Sequence, residues 1–253
     1  MHTLFGTKHI ILIVLSIALV IGFYFLTKKW KFMTQCKVLL GIAIACEIIK
    51  TLTYIVLNES KYGGILPKSD LPFQLCSIQL IFIAIVVFSK NEKMKRVLLA
   101  FMMPSCLFGG IAAILIATNS SLNVWIITIQ YFLYHISLCV FALHLFTNKE
   151  FKWNIKDYAS SLIFVVCLLF FAIYMNSMMF DGTSTVNYMY VVDPPQKNLP
   201  FLNEDSGWII YMLRYSLLVV TCMSLAYIKP IITSIKNLFT KKTVEITTEE
   251  TKN

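Results

Sequence analysis

The sequence predicts an all-α polytopic membrane protein of seven transmembrane helices, N-terminus outside and C-terminus inside, and three observations carry that prediction. Apolar residues make up 58% of the 253-residue chain and charged residues only 14%, against ~45–50% and ~25% in soluble domains. Mean hydropathy is +0.73. Apolar runs near the ~20 residues that cross a bilayer recur at 9–27, 38–58, 72–89, 97–117, 124–146, 158–179 and 207–228. Finally, basic residues alternate along the chain. Sixteen fall in the first, third and fifth connections and the tail, and four (Lys8, Lys61, Lys68 and Lys197) fall in the opposite set. The positive-inside rule turns that asymmetry into an orientation.

Taken in order, the first run has no small-residue cleavage site after it and reads as a retained helix, not a signal peptide. The second run carries Glu47 and Lys50, three residues apart on one helix face and so placed to neutralise each other. The third opens with SDLPFQLCSIQL, Ser69 to Leu80. Pro72 suits a first helical turn, and Gln74, Cys76, Ser77 and Gln79 put polar atoms where lipid tolerates them only against other helices or a cavity. The fifth contains Thr128, Tyr131, His135 and Cys139, whose spacing aligns them in one polar stripe around a mid-membrane histidine. Between the sixth and seventh runs lies a loop over 180–206, acidic through Asp181, Asp193, Glu204 and Asp205 and long enough for a lid or binding element. The seventh run holds Arg214, one of two arginines in the chain. Residues 1–229 thus form one transmembrane domain, and 230–253 a polar inner tail, partly helical and then disordered.

Several classes are excluded. The formal charge of +9 is spent on topology signals beside anionic headgroups, so membrane lipids and not nucleic acid are the expected partners. Seven cysteines without a C-x-x-C pair or a His/Cys cluster give neither a disulfide framework nor a metal site, and no cofactor is expected. Twenty lysines against two arginines fit an AT-rich bacterial genome and hence a plasma-membrane protein. A G-x-S-x-G nucleophile elbow is absent.

What remains is a short inventory of chemistry. Glu47, Lys50, His135 and Arg214 are the strongly polar groups inside the runs, each a functional candidate by its cost in lipid. His135 is either a hydrogen-bonded core residue or a general acid–base. Cys76 is either small apolar filler or, with a histidine in reach, a nucleophile. Arg214 suits an anionic headgroup.

The LPFQLC segment, the run centred on His135, and the outer-loop segment Asn187–Tyr190 followed by Pro194 and Pro195 together resemble the bacterial YwaF-type membrane proteins. These are related to the eukaryotic transmembrane protein 164 family. The resemblance implies a phospholipid acyltransferase or lipase with Cys76 and His135 as the catalytic pair. His135 would take the Cys76 proton and the thiolate would attack an acyl ester, giving a thioester that a lysolipid hydroxyl or water resolves. Gln74, Gln79 and Tyr131 are then candidate oxyanion donors. Asn187 and Arg214 join them as substrate-binding candidates. One obstacle is depth: Cys76 stands ~6 Å into its run and His135 ~16 Å into its own, at 1.5 Å per residue. Contact between them requires unequal helix starts, strong tilt or a re-entrant opening. The competing reading is a non-enzymatic transporter or lipid-binding protein built on the four buried polar groups.

Overall fold

A computed structural model describes residues 5–57, 66–117, 124–182, 186–196, 199, 201–202 and 207–250. Lys61, Lys197, Glu204 and Asp205 lie outside the described residues. Every apolar run is a helix: α1 Thr7–Thr27, α2 Phe32–Leu57, α3 Leu75–Phe88, α4 Glu92–Leu115, α5 Trp125–Thr147, α6 Ile155–Met179 and α7 Trp208–Ala226. The tail follows as α8, Ile228–Glu250. Six of these, all but α3 and α8, are long and apolar enough to cross a membrane. The chain is therefore a multi-pass membrane protein. α3 has 14 residues, or ~21 Å, short of the ~30 Å hydrocarbon thickness.

The layering follows from how much of each helix is apolar on all sides. In α5 and α4, 67% and 56% of the most apolar stretch is buried, against 22% or less in the other spans. α5 packs against α1, α2 and α4, while α4 packs against α3, α6 and α7, and α3 is wedged between α2 and α4. The two inner helices approach closely at Gly110. A Cβ there would stand 2.6 Å from Cys139 Sγ and 3.2 Å from the His135 carbonyl, so the absent side chain lets the backbones meet.

Two devices on the lysine-rich side fix helix starts. Asn154 and Asp157 form a capping box on α6. Buried Asp157 also receives two hydrogen bonds from Arg96, at 2.8 and 2.7 Å, tying the head of α4 to the head of α6 in the forked geometry that lysine lacks. Deeper in α4, Pro104 supplies no N–H to the Ala100 carbonyl one turn earlier. Tyr227, at 0% exposure, donates its hydroxyl to that carbonyl at 2.8 Å. In a bilayer such freed groups must be satisfied by neighbouring side chains, and here the last residue before α8 does so.

Two histidines of little promise in the sequence act as rivets. His9 is 1% exposed; its Nδ1 accepts from the Phe5 N–H and its Nε2 meets the Ile114 carbonyl at 3.0 Å. His144 meets the Thr27 hydroxyl at 2.7 Å and stacks on Tyr24. Both pin α1 to the inner helices.

Candidate functional site

The site is assembled at the point where α3 begins. After a 3-10 turn at Lys68–Asp70 the chain runs irregularly through Leu71–Phe73 and enters α3 with Gln74 as N-cap and Cys76 in its first turn. The helix begins late, and the hydroxyl of Tyr134, a residue ~14 Å along α5, donates to the Cys76 carbonyl at 2.7 Å. That bond ties the start of α3 to the residue of α5 next to His135.

The thiol is half-buried. The Cys76 and Ser77 backbone N–H groups, the Ser77 hydroxyl and the Lys50 ammonium are within electrostatic range of its sulfur. Cysteines at helix N-termini near a cation are the reactive ones, because free N–H groups and positive charge favour the thiolate. Lys50 itself pairs with Glu47 at 2.8 Å, the neutralisation their spacing predicts. Asp70 is the third charge in this cluster. Burial holds its carboxyl above the usual carboxylate range, with the Ser69 hydroxyl and Lys50 acting against that rise.

His135 is 3% exposed; its carbonyl and Cys139 meet α4 at Gly110, and Tyr131 reaches the Ala113 carbonyl of the same helix, so this part of the stripe lies at an interhelical seam. Its Nδ1 lies 2.7 Å from the Tyr131 carbonyl. A carbonyl can only accept, so Nδ1 carries the proton and Nε2 is the basic nitrogen. Cys76 and His135 share no hydrogen bond among the described residues; Tyr134 bonds the Cys76 carbonyl, and Cys106 is within electrostatic range of both Cys76 and Cys139.

The loop before α7 is not a surface connector. Tyr188 and Met189 are buried, at 0% and 5% exposure, and side chains take up the backbone polar groups of the segment. Gln74 donates to the Asn187 carbonyl at 3.1 Å and accepts from the Met189 N–H at 2.8 Å. Asn176 grips Tyr188 in the same two-ended way, at 3.1 and 2.8 Å. Tyr215 donates to the Met189 carbonyl, Tyr211 to the Tyr190 carbonyl, and Trp208 to the Val191 carbonyl. Asn187 turns back on Val192 and Asp193. These bonds hold Met189 and Tyr190 at φ 54° and 53°, a left-handed conformation that costs a side-chain-bearing residue on the order of 1 kcal/mol.

Several expected roles look different in this light. The Gln74 amide and Asn187 are spent on loop architecture. The Tyr131 hydroxyl donates to the Ala113 carbonyl at 2.9 Å. Gln79, 1% exposed, donates to Ser105 at 3.0 Å, and its Oε1 is the one fully enclosed side-chain N or O atom without a partner among the described residues. Arg214 is half-buried on α7. Tyr190, whose burial the sequence did not signal, is brought to Cys76 by the loop. Among the described residues no cluster of three or more His, Cys, Asp or Glu side chains could hold a metal.

A multi-pass helical membrane protein with a cysteine in the first turn of a short apolar helix, beside a buried loop, is the class these features define. The model of the TMEM164 family matches residues 4–227, and the chain belongs to that family. No curated protein and no solved structure matches it.

Proposed function

We propose that this protein is a membrane-embedded phospholipid acyltransferase or lipase of the bacterial plasma membrane, acting through a thioester on Cys76. The observation that supports it most is the setting of the Cys76 sulfur: first-turn N–H groups on one side, the Lys50 ammonium in range, and a buried loop overhead. These groups act against the cost that burial imposes on a thiolate there. Family membership adds the expectation of lipid chemistry.

In the first half-reaction the Cys76 thiol gives its proton to Nε2 of His135 and the sulfur attacks the ester carbonyl of a phospholipid. The C–O bond breaks, and the lysolipid oxygen takes the proton from the imidazolium. In the second, a lysolipid hydroxyl or water gives its proton to His135 and attacks the thioester. The C–S bond breaks and the sulfur leaves as thiolate, reclaiming the proton. Catalytic contacts that are loose in the empty enzyme tighten around substrate, which is how Nε2 serves a thiol it does not touch here. Arg214 is assigned to the substrate phosphate.

Mass spectrometry of the purified protein in phosphatidylethanolamine–phosphatidylglycerol vesicles tests this. An acyl adduct on Cys76 and lysolipid release are expected from wild type, and neither from Cys76→Ala; His135→Ala should lose both while keeping its helical circular dichroism. A folded wild type with no adduct and no lysolipid rejects the enzyme and favours transport or lipid binding through Glu47, Lys50, His135 and Arg214.

A further inference from the structure

Acyl transfer through Cys76 creates an oxyanion, and a site of this kind stands or falls on the donors aimed at it. Donors can be sorted by asking where each hydroxyl proton already goes. A tyrosine has one proton, and once a carbonyl holds it none is left for substrate. Around the start of α3, Tyr134 gives its proton to the Cys76 carbonyl, Tyr131 to Ala113, Tyr215 to Met189, Tyr211 to Tyr190 and Tyr188 to Lys68. Two hydroxyls are left without a hydrogen-bond partner among the described residues: Tyr54, which lies toward Asp70, and Tyr190, which lies toward Cys76 on a half-buried ring whose neighbours Tyr188 and Met189 are enclosed.

The placement of Tyr190 is built, not incidental. Gln74, two residues before the nucleophile, receives the Met189 N–H, so the loop residue before Tyr190 touches the segment that leads into Cys76. Two successive non-glycine residues in the left-handed region turn the chain there. Such strain persists only where surroundings over-determine it, and it concentrates at functional sites. A second unsatisfied group shares the neighbourhood. Gln79, one helical turn from Cys76 on the same face, keeps Oε1 enclosed and unpartnered. The start of α3 thus carries an acceptor without a donor, and the loop packed on it a donor without an acceptor.

We propose that Tyr190 is a catalytic residue, its hydroxyl donating the hydrogen bond that stabilises the oxyanion formed when Cys76 attacks the acyl carbonyl. This rests on the thioester reading above. No atom is transferred by Tyr190: the phenol keeps its proton while the carbonyl oxygen gains and then loses charge. Burial pushes the phenol up to about 12, with the nearby Cys76 adding to the rise, so it remains a donor throughout the physiological range.

The test is single-turnover acylation of Cys76 in the same vesicles, comparing wild type, Tyr190→Phe and Tyr215→Phe. Tyr190→Phe keeps the ring and removes the proton; Tyr215→Phe loosens the same loop through the Met189 carbonyl and leaves the Tyr190 proton in place. Acylation by Tyr190→Phe should slow about 10²–10³-fold, with Tyr215→Phe far less affected and alkylation of Cys76 by a small maleimide similar in all three. Wild-type rates in Tyr190→Phe, or equal slowing in both variants, overturn the assignment while leaving the thioester route standing. A wild type that forms no adduct overturns both.

Discussion

Gly110→Ala puts the packing of the site to a direct test. A methyl group at this position would meet Cys139 Sγ at 2.6 Å and the His135 carbonyl at 3.2 Å, well inside the 3.4–4 Å of ordinary contact. Two opposing terms set the magnitude. Alanine is favoured over glycine inside a helix by ~1 kcal/mol, whereas overpacking a filled interface costs ~1–3 kcal/mol. The steric term dominates because one of the two atoms is backbone and can yield only if α5 moves. With the overpacking cost in the upper part of its range, a net loss of about 1–2 kcal/mol follows, or ~2–8 °C in a protein of this size. Cys139→Ala removes the nearer clash and leaves only the 3.2 Å contact. The double variant should therefore melt above Gly110→Ala alone, with a coupling of about 1 kcal/mol, within the range for residues in contact. Thermal unfolding in one detergent, followed by circular dichroism, reads all four proteins. A Gly110→Ala protein as stable as wild type, or a double variant with purely additive losses, would refute the claim that this close approach sets the α4–α5 spacing at His135.

Two further predictions concern the loop and its surroundings. Gln74→Met preserves bulk but strands the Asn187 carbonyl and the Met189 N–H, at ~1–3 kcal/mol for each buried unpaired group. Hydrogen exchange at the Met189 amide should accelerate at least tenfold, and unchanged protection would show that the clamp does not hold the loop. Asp70→Asn tests a pH effect whose sign follows from burial. A carboxyl raised in the folded state contributes stability below its unfolded pKa of about 4 and loses it as pH rises through the folded value. The Asn variant should therefore melt above wild type at pH 7 and level with it near pH 4, and a pH-independent difference would count against the burial of Asp70 as the cause.

Much of the architecture was legible in the sequence because lipid imposes a coarse and regular code. Apolar runs of spanning length became helices, and the spacing of Thr128, His135 and Cys139 gave their common face. The ends were less legible. α6 begins at Ile155, ahead of its apolar run, because Asn154 and Asp157 cap each other, and α3 begins late because Leu71–Phe73 do not join it. Cys76 and His135 stood out in the sequence as candidates because they carry chemistry that lipid makes expensive. Gln74 stood out as a possible oxyanion donor, but its hold on the loop was not legible, because its partners lie 113 and 115 residues away; nor was Tyr190, one of twelve tyrosines. No local periodicity encodes which hydroxyl keeps a free proton; that depends on where every other hydroxyl in the neighbourhood has gone.

The pairing of Pro104 with Tyr227 bears on how such a chain can change over time. With Pro104 in place the Tyr227 hydroxyl answers the Ala100 carbonyl, and its loss leaves a bare acceptor in the interior. Were Pro104 replaced first by a residue with an N–H, the helix would close its own bond and the same hydroxyl would become surplus, with Ser161 as its remaining contact. The effect of one substitution thus depends on whether the other has already occurred. Of the two mutational orders, only the one that removes the proline first passes through an intermediate with no orphaned carbonyl. Lineages that keep the proline are bound to keep the tyrosine, or to find another donor for that oxygen.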